Sequence, residues 1–190
     1  MDADFYYGSE DNYMWWEILD SIAKHAGIED KALFTDKDSN EKCIETMKAF
    51  LTRHKIWMRD ILQKYKRTDP HSAADDKITP IDFADFSNTF KMAPFINKIA
   101  FTSEKAAKWT FQAFIEQGLI KQEEFDAYPK WKMLQNDNPR EKHEQPCFVT
   151  NLEGREIRFY ILPTPTGRSR TALKIKDKIS IYKSVLFRTK

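Results

Sequence analysis

The chain of 190 residues is 41% hydrophobic and 14% aromatic, enough to build one domain, 1–190, around a real core, with a polar insertion at about 121–146. A net charge of +2 excludes a uniformly basic nucleic-acid coat, and apolar runs no longer than a strand exclude a membrane-spanning helix. Cys43 and Cys147, far apart in sequence, make neither a metal spacing nor a disulfide framework.

The acidic start, Met1-Asp2-Ala3-Asp4, does not read as a secretory leader, so the expectation is a reduced, cytoplasmic protein. Residues 12–27 predict a helix: Trp15, Ile18, Leu19 and Ile22 share one face, Asn12 is a candidate cap and Gly27 a stop. A second amphipathic helix is predicted over 40–54, with Ile44, Met47, Phe50 and Leu51 on its apolar side. Ile56-Trp57-Met58-Arg59-Asp60-Ile61 reads as a buried strand. Residues 67–76, with Pro70 and His71, read as a long loop. Pro80 near a first turn, followed by Phe83, Phe86 and Phe90, predicts a helix over 80–90.

Phe95 to Phe101 reads as the next strand, and Thr102-Ser103 leads into a helix from Glu104 to about Gln117, ended by Gly118. The polar 121–146 segment, with three prolines, predicts one short helix around Glu123–Tyr128. Cys147–Thr150 and Glu156–Leu162 flank a Gly-containing turn and predict a hairpin. A last helix is predicted from Ser169 or Thr171 to Leu186, with Ile179, Tyr182 and Val185 on a mixed apolar stripe. Charge is uneven along the chain. Residues 1–20 carry six acids and no Lys or Arg, whereas 168–190 carry eight Lys or Arg and one acid, Asp177. The C-terminal charges read as a local basic face or as a solvated helix face.

Helices alternating with short apolar runs predict the α/β class: a three-layer α/β/α sandwich with a short, mostly parallel sheet, its strands at about 56–61, 96–102 and 156–162. Ligands of such folds bind beyond the carboxyl ends of strands. Three segments fall there: the stretch after Asp60, Thr102-Ser103, and the Pro163–Ser169 loop.

The chain has no Gly-rich phosphate loop, no Gly-x-Ser-x-Gly and no His-x-x-x-His. His25, His54, His71 and His143 are scattered and read as surface or packed histidines. Asp75-Asp76 reads as a solvated turn. Asp60, at the end of an expected buried strand, must find donors or face a cleft. No metal or cofactor is expected.

The most informative stretch is Leu162-Pro163-Thr164-Pro165-Thr166-Gly167-Arg168-Ser169-Arg170. Two prolines stiffen it, hydroxyls and bare amides open the helix that follows, and two arginines add charge. It reads either as a rigid loop presented to phosphate or as an ordinary strand-to-helix turn capped by Thr166 or Ser169. Near the other end, Tyr6 and Tyr7 beside Gly8 either wall a flat pocket for a stacked base or pack on the first helix.

Tyr6-Tyr7-Gly8-Ser9-Glu10-Asp11-Asn12-Tyr13-Met14-Trp15 resembles the Tyr-Tyr-x-x-x-x-Asn-x-Phe-Trp motif of the uracil-DNA glycosylase superfamily, in its mismatch-specific uracil and DNA-deoxyinosine branches. The resemblance continues in order through Lys55–Ile61, Ile96–Thr110 and Leu162–Thr166, and spans most of 5–186 apart from 121–146. It implies a monofunctional DNA glycosylase that binds duplex DNA containing a damaged or mismatched base, flips that base and hydrolyses its N-glycosidic bond. The implied partner is the DNA alone, for a monomer that needs no membrane.

In this resemblance Tyr6, Tyr7, Gly8, Asn12, Thr102 and Ser103 form the base pocket, with Thr102 where the family has a base-binding Asn. Pro163, Thr164, Pro165, Thr166, Gly167, Arg168, Ser169 and Arg170 contact DNA. The family's first strand and its loop with the water-activating Asn or Asp precede the Tyr-Tyr motif. Here the chain begins four residues before Phe5. The expectation is therefore that the water-activating segment is missing and activity is weak. Asp2, Asp4 and Asp60 are the candidate substitutes. The alternative is an inactive relative that binds nucleic acid or protein.

Overall fold

The computed structural model describes residues 14–25, 33, 40–69, 77–127, 139–165 and 173–187. The chain is of mixed α/β class and divides into two compact units, each with its own core. Among the described residues, no helix is long and apolar enough to cross a membrane.

The first unit holds α1 (Met14–His25), α2 (Asn40–Arg53), α6 (Pro139–Glu144) and α7 (Ile175–Phe187). Ile18, Leu19, Ile22 and Ala23 on α1, Cys43, Met47, Phe50 and Leu51 on α2, and Ile181, Tyr182 and Val185 on α7 are among its buried residues, at the spacings of a helical stripe. α7 packs on α1 and α6, and the rings of Phe50, His54 and Phe187 meet pairwise at 4.6–5.8 Å. The backbone amide of Leu33 donates to Asp20 Oδ1.

α2 ends in a Schellman motif. Ile56 N donates to Leu51 O at 2.8 Å and Lys55 N to Thr52 O at 3.1 Å, with Lys55 left-handed at φ 55°. α4 (Glu104–Glu116) ends the same way, but there Gly118 takes the left-handed position at φ 68°. A side chain at that position costs about 1–2 kcal/mol. Lys55→Gly is therefore expected to stabilise the protein by up to about 1 kcal/mol, the remainder being offset by glycine's greater freedom when unfolded. A raised urea midpoint at unchanged slope checks it.

The second unit is built on a three-stranded sheet in the order β3 (Lys98–Phe101), β5 (Arg155–Ile161), β4 (Phe148–Leu152). β3 runs parallel to β5, and β4 antiparallel to it. The hairpin closes through Glu153 at φ 50° and Gly154 at φ 76°, the two positive values of a type I′ turn. α4 lays Ala107, Phe111 and Phe114 on the sheet, so the Phe111 ring lies 5.2 Å from both Phe148 and Phe159. Phe86 and Phe90 of α3 (Phe86–Met92) stand edge-on to Phe114, and Phe125 of α5 (Gln122–Asp126) covers Phe111 and Phe148. A separate antiparallel ribbon, β1 (Leu62–Arg67) and β2 (Ile78–Phe83), belongs to the same unit.

Several expectations are corrected. The sheet is not mostly parallel: the three strands form one parallel and one antiparallel pair, and the ribbon is antiparallel. The strand expected at 56–61 is not formed. The chain reverses at Lys55, Trp57 is exposed, and pairing begins at Leu62. β1 is polar and mostly exposed, so it is held by its ladder with β2 rather than by burial.

The helix expected over 80–90 is half strand. Pro80 lies in β2 opposite Tyr65, where an edge strand tolerates a missing donor. The helix starts only at Phe86, capped by Asp85, whose carboxylate accepts from Asn88 N at 2.9 Å. Gln117 fastens that turn: its Nε2 donates to Ala84 O at 2.8 Å and its Oε1 accepts from Phe86 N at 2.9 Å. β3 starts later than expected, at Lys98, and the last helix at Ile175. Among its described residues, the 121–146 segment carries two short helices, α5 and α6, rather than one.

Candidate nucleic-acid interface

In the second unit, Phe101 of β3 pairs with Ile161 of β5 in parallel register. The carboxyl ends of the two strands therefore lie side by side, and Thr102 follows the first of them directly. Thr102 is half-buried. Ser103 is the N-cap of α4: its Oγ accepts from Ala106 N at 3.0 Å. One of its acceptor positions thus serves the helix rather than a ligand. Ser103→Ala is expected to cost about 1 kcal/mol in a denaturation midpoint, the usual loss for a cap. A neutral result would mean that the hydroxyl is not used in this way.

Asp60 is exposed and follows a stretch without strand pairing, so the buried-strand environment expected for it is absent. Its neighbour Arg59 has a structural role. Its guanidinium donates to Asp85 O at 3.1 Å and to Thr89 Oγ1, and sits 5.7 Å from the Phe86 ring centre. It ties the Asp60 segment to the first turn of α3. A second arginine serves the other end of that helix: Arg155 donates to Phe90 O at 3.4 Å and Ala93 O at 3.5 Å, a cation on orphan carbonyls. Neither role is legible from sequence, because both partners are distant in the chain.

In the first unit, Pro163 and Pro165 are buried and Thr164 is half-buried. Tyr182 Oη donates to Pro163 O at 2.8 Å, and Lys178 Nζ to Thr164 O at 2.9 Å. Burial pushes the Lys178 ammonium below its ordinary range. The sequence pattern finds Tyr182 on its apolar stripe and misses Lys178. The available signal is a lysine four residues before a core tyrosine, on the same helix face.

Asp2, Asp4, Tyr6, Tyr7, Gly8 and Asn12, together with Thr166, Gly167, Arg168, Ser169 and Arg170, lie outside the described residues. Both cysteines are buried thiols outside any disulfide, and burial pushes the Cys147 thiol up to about 12. Among the described residues, no three His, Cys, Asp or Glu side chains gather as a metal site. Comparison of the chain with protein-family models, with characterised proteins and with solved structures gives no match.

Proposed function

We propose that this protein is a DNA base-excision glycosylase of the uracil-DNA glycosylase type, a cytoplasmic monomer with that superfamily's three-layer α/β/α domain, acting on duplex DNA that carries uracil or hypoxanthine. The observation that supports it best is the parallel pairing of β3 with β5, which sets Thr102 beside the carboxyl end of β5. In open α/β sheets that is where ligands bind. Thr102 offers a hydroxyl to the edge of a flipped base. Arg168 and Arg170 supply charge to the phosphate backbone.

Hydrolysis breaks the bond between the base nitrogen and the sugar C1′. Water supplies the new C1′–O bond, and the base departs with the electron pair and is protonated. The step needs a carboxylate near the sugar, to orient the water and to stabilise the oxocarbenium-like transition state. Asp2, Asp4 and Asp60 are the candidates in this chain.

Binding and chemistry are tested separately. Replacing Arg168 and Arg170 by alanine is expected to weaken binding to any duplex and to lower the slope of log affinity against log salt by about 0.9 per lost phosphate contact. Unchanged affinity and slope would dismiss the loop as a DNA contact. Single-turnover excision from duplexes with uracil or hypoxanthine, read by alkaline strand scission, tests the chemistry. Binding without excision on both lesions would favour the reading as a non-catalytic nucleic-acid-binding module. The replacement of the family's Asn by Thr102 already speaks for that alternative.

A further inference from the structure

Prolines at 163 and 165 remove two backbone donors from the segment after β5 and leave its carbonyls to find partners elsewhere. Two of those carbonyls are met by α7 rather than by a strand ladder. Tyr182 Oη reaches Pro163 O at 2.8 Å, and Lys178 Nζ reaches Thr164 O at 2.9 Å. The donors stand four residues apart, one turn along one helix face. Both are enclosed, Tyr182 at 0% and Lys178 at 3% exposure. A buried ammonium is costly to dehydrate, and an aliphatic side chain would fill the space without that cost. What the lysine adds over such a side chain is a directed hydrogen bond to one loop carbonyl.

We infer that Lys178 and Tyr182 are positioning residues: they fix the path of Pro163-Thr164-Pro165, the segment from which the chain continues to Arg168 and Arg170. The consequence for DNA rests on the function proposed above. The fixing of the loop does not.

Tyr182→Phe and Lys178→Met delete the donors and keep most of the bulk. Ile181→Val, also wholly buried on α7, loosens the same helix and leaves both donors in place. The readout is the rate of tryptic cleavage after Arg168 and Arg170 in the native proteins. Cleavage is expected to rise about tenfold in each donor variant over Ile181→Val, because detaching Pro163-Thr164-Pro165 from α7 then breaks one hydrogen bond fewer. Rates no higher than in Ile181→Val overturn the inference. Should Lys178→Met not fold, Tyr182→Phe, the milder change, carries the test alone.

Binding to a uracil-containing duplex is measured on the same proteins. Weaker binding by the donor variants, with Ile181→Val unchanged, supports the inference. Unchanged binding by the donor variants, where Arg168→Ala/Arg170→Ala weakens it, overturns the consequence for DNA and leaves the DNA reading intact. Faster cleavage with no duplex binding by any of the proteins supports the positioning role and removes the DNA reading.

Discussion

Phe159→Ala is expected to cost about 3–5 kcal/mol of stability, the range for a large aromatic removed from a packed core. Phe159 is 0% exposed and lies at the centre of the β3-β5-β4 sheet. Its ring meets Phe101, Phe111, Phe114 and Phe148 at 5.2–6.3 Å. Those four rings come from two strands and one helix, so no single movement closes the space left behind. A loss of that size is a large share of the roughly 5–15 kcal/mol that holds a typical domain folded. The matched control is Phe95→Ala. Phe95 is 85% exposed, and its loss is expected to fall within about 0.5 kcal/mol of neutral. Urea midpoints for the two variants check the pair, and similar values for both would show that the sheet core does not carry the fold.

Alkaline pH is expected to destabilise the protein through one thiol. Cys147 is 2% exposed, and burial pushes its thiol from 9.0 up to about 12. Below pH 9 the thiol is protonated in both states, and its contribution is fully present. Above that value the unfolded chain releases the proton while the native one keeps it, so stability falls as pH rises towards about 12. The whole loss is on the order of 4 kcal/mol, at about 1.4 kcal/mol per pH unit.

Lys178 acts in the opposite sense. Burial lowers its native value below 10.5, so its contribution to stability rises with pH up to that point. Cys147→Ala isolates the thiol. The variant is expected to be the less stable protein at pH 7 and to gain on the parent steadily above pH 9. Parallel pH profiles for the two proteins would show that Cys147 is not held protonated by the fold.

The features legible in the sequence are those whose cause is local. Met47, Phe50 and Leu51 recur at helical spacing, and α2 forms where they predict it. Ala107, Phe111 and Phe114 do the same for α4, with a glycine ready for the left-handed stop. Gly154 between two apolar runs specifies the hairpin, because its turn needs positive φ at both central positions. The apolar residues of 56–61 mislead because a run of that kind becomes a strand only if something covers it. Here the backward turn at Lys55 redirects the chain, and pairing starts at Leu62.

Helices α1, α2 and α4 and the hairpin thus follow from the amino-acid order, since each depends on contacts within a few residues. Which strands pair, in which direction, and what holds the loop are settled by long-range packing. β1 and β2 have too little apolar alternation to announce themselves and exist because each satisfies the other's backbone. Pro80 signals a helix start in the chain and sits on a strand edge in the fold, since the neighbour that settles its role is Tyr65. Lys178 reads as one more basic residue on a basic helix. Its partner at Thr164 lies fourteen residues earlier, and burial turns an ordinary surface charge into a directed bond to the loop.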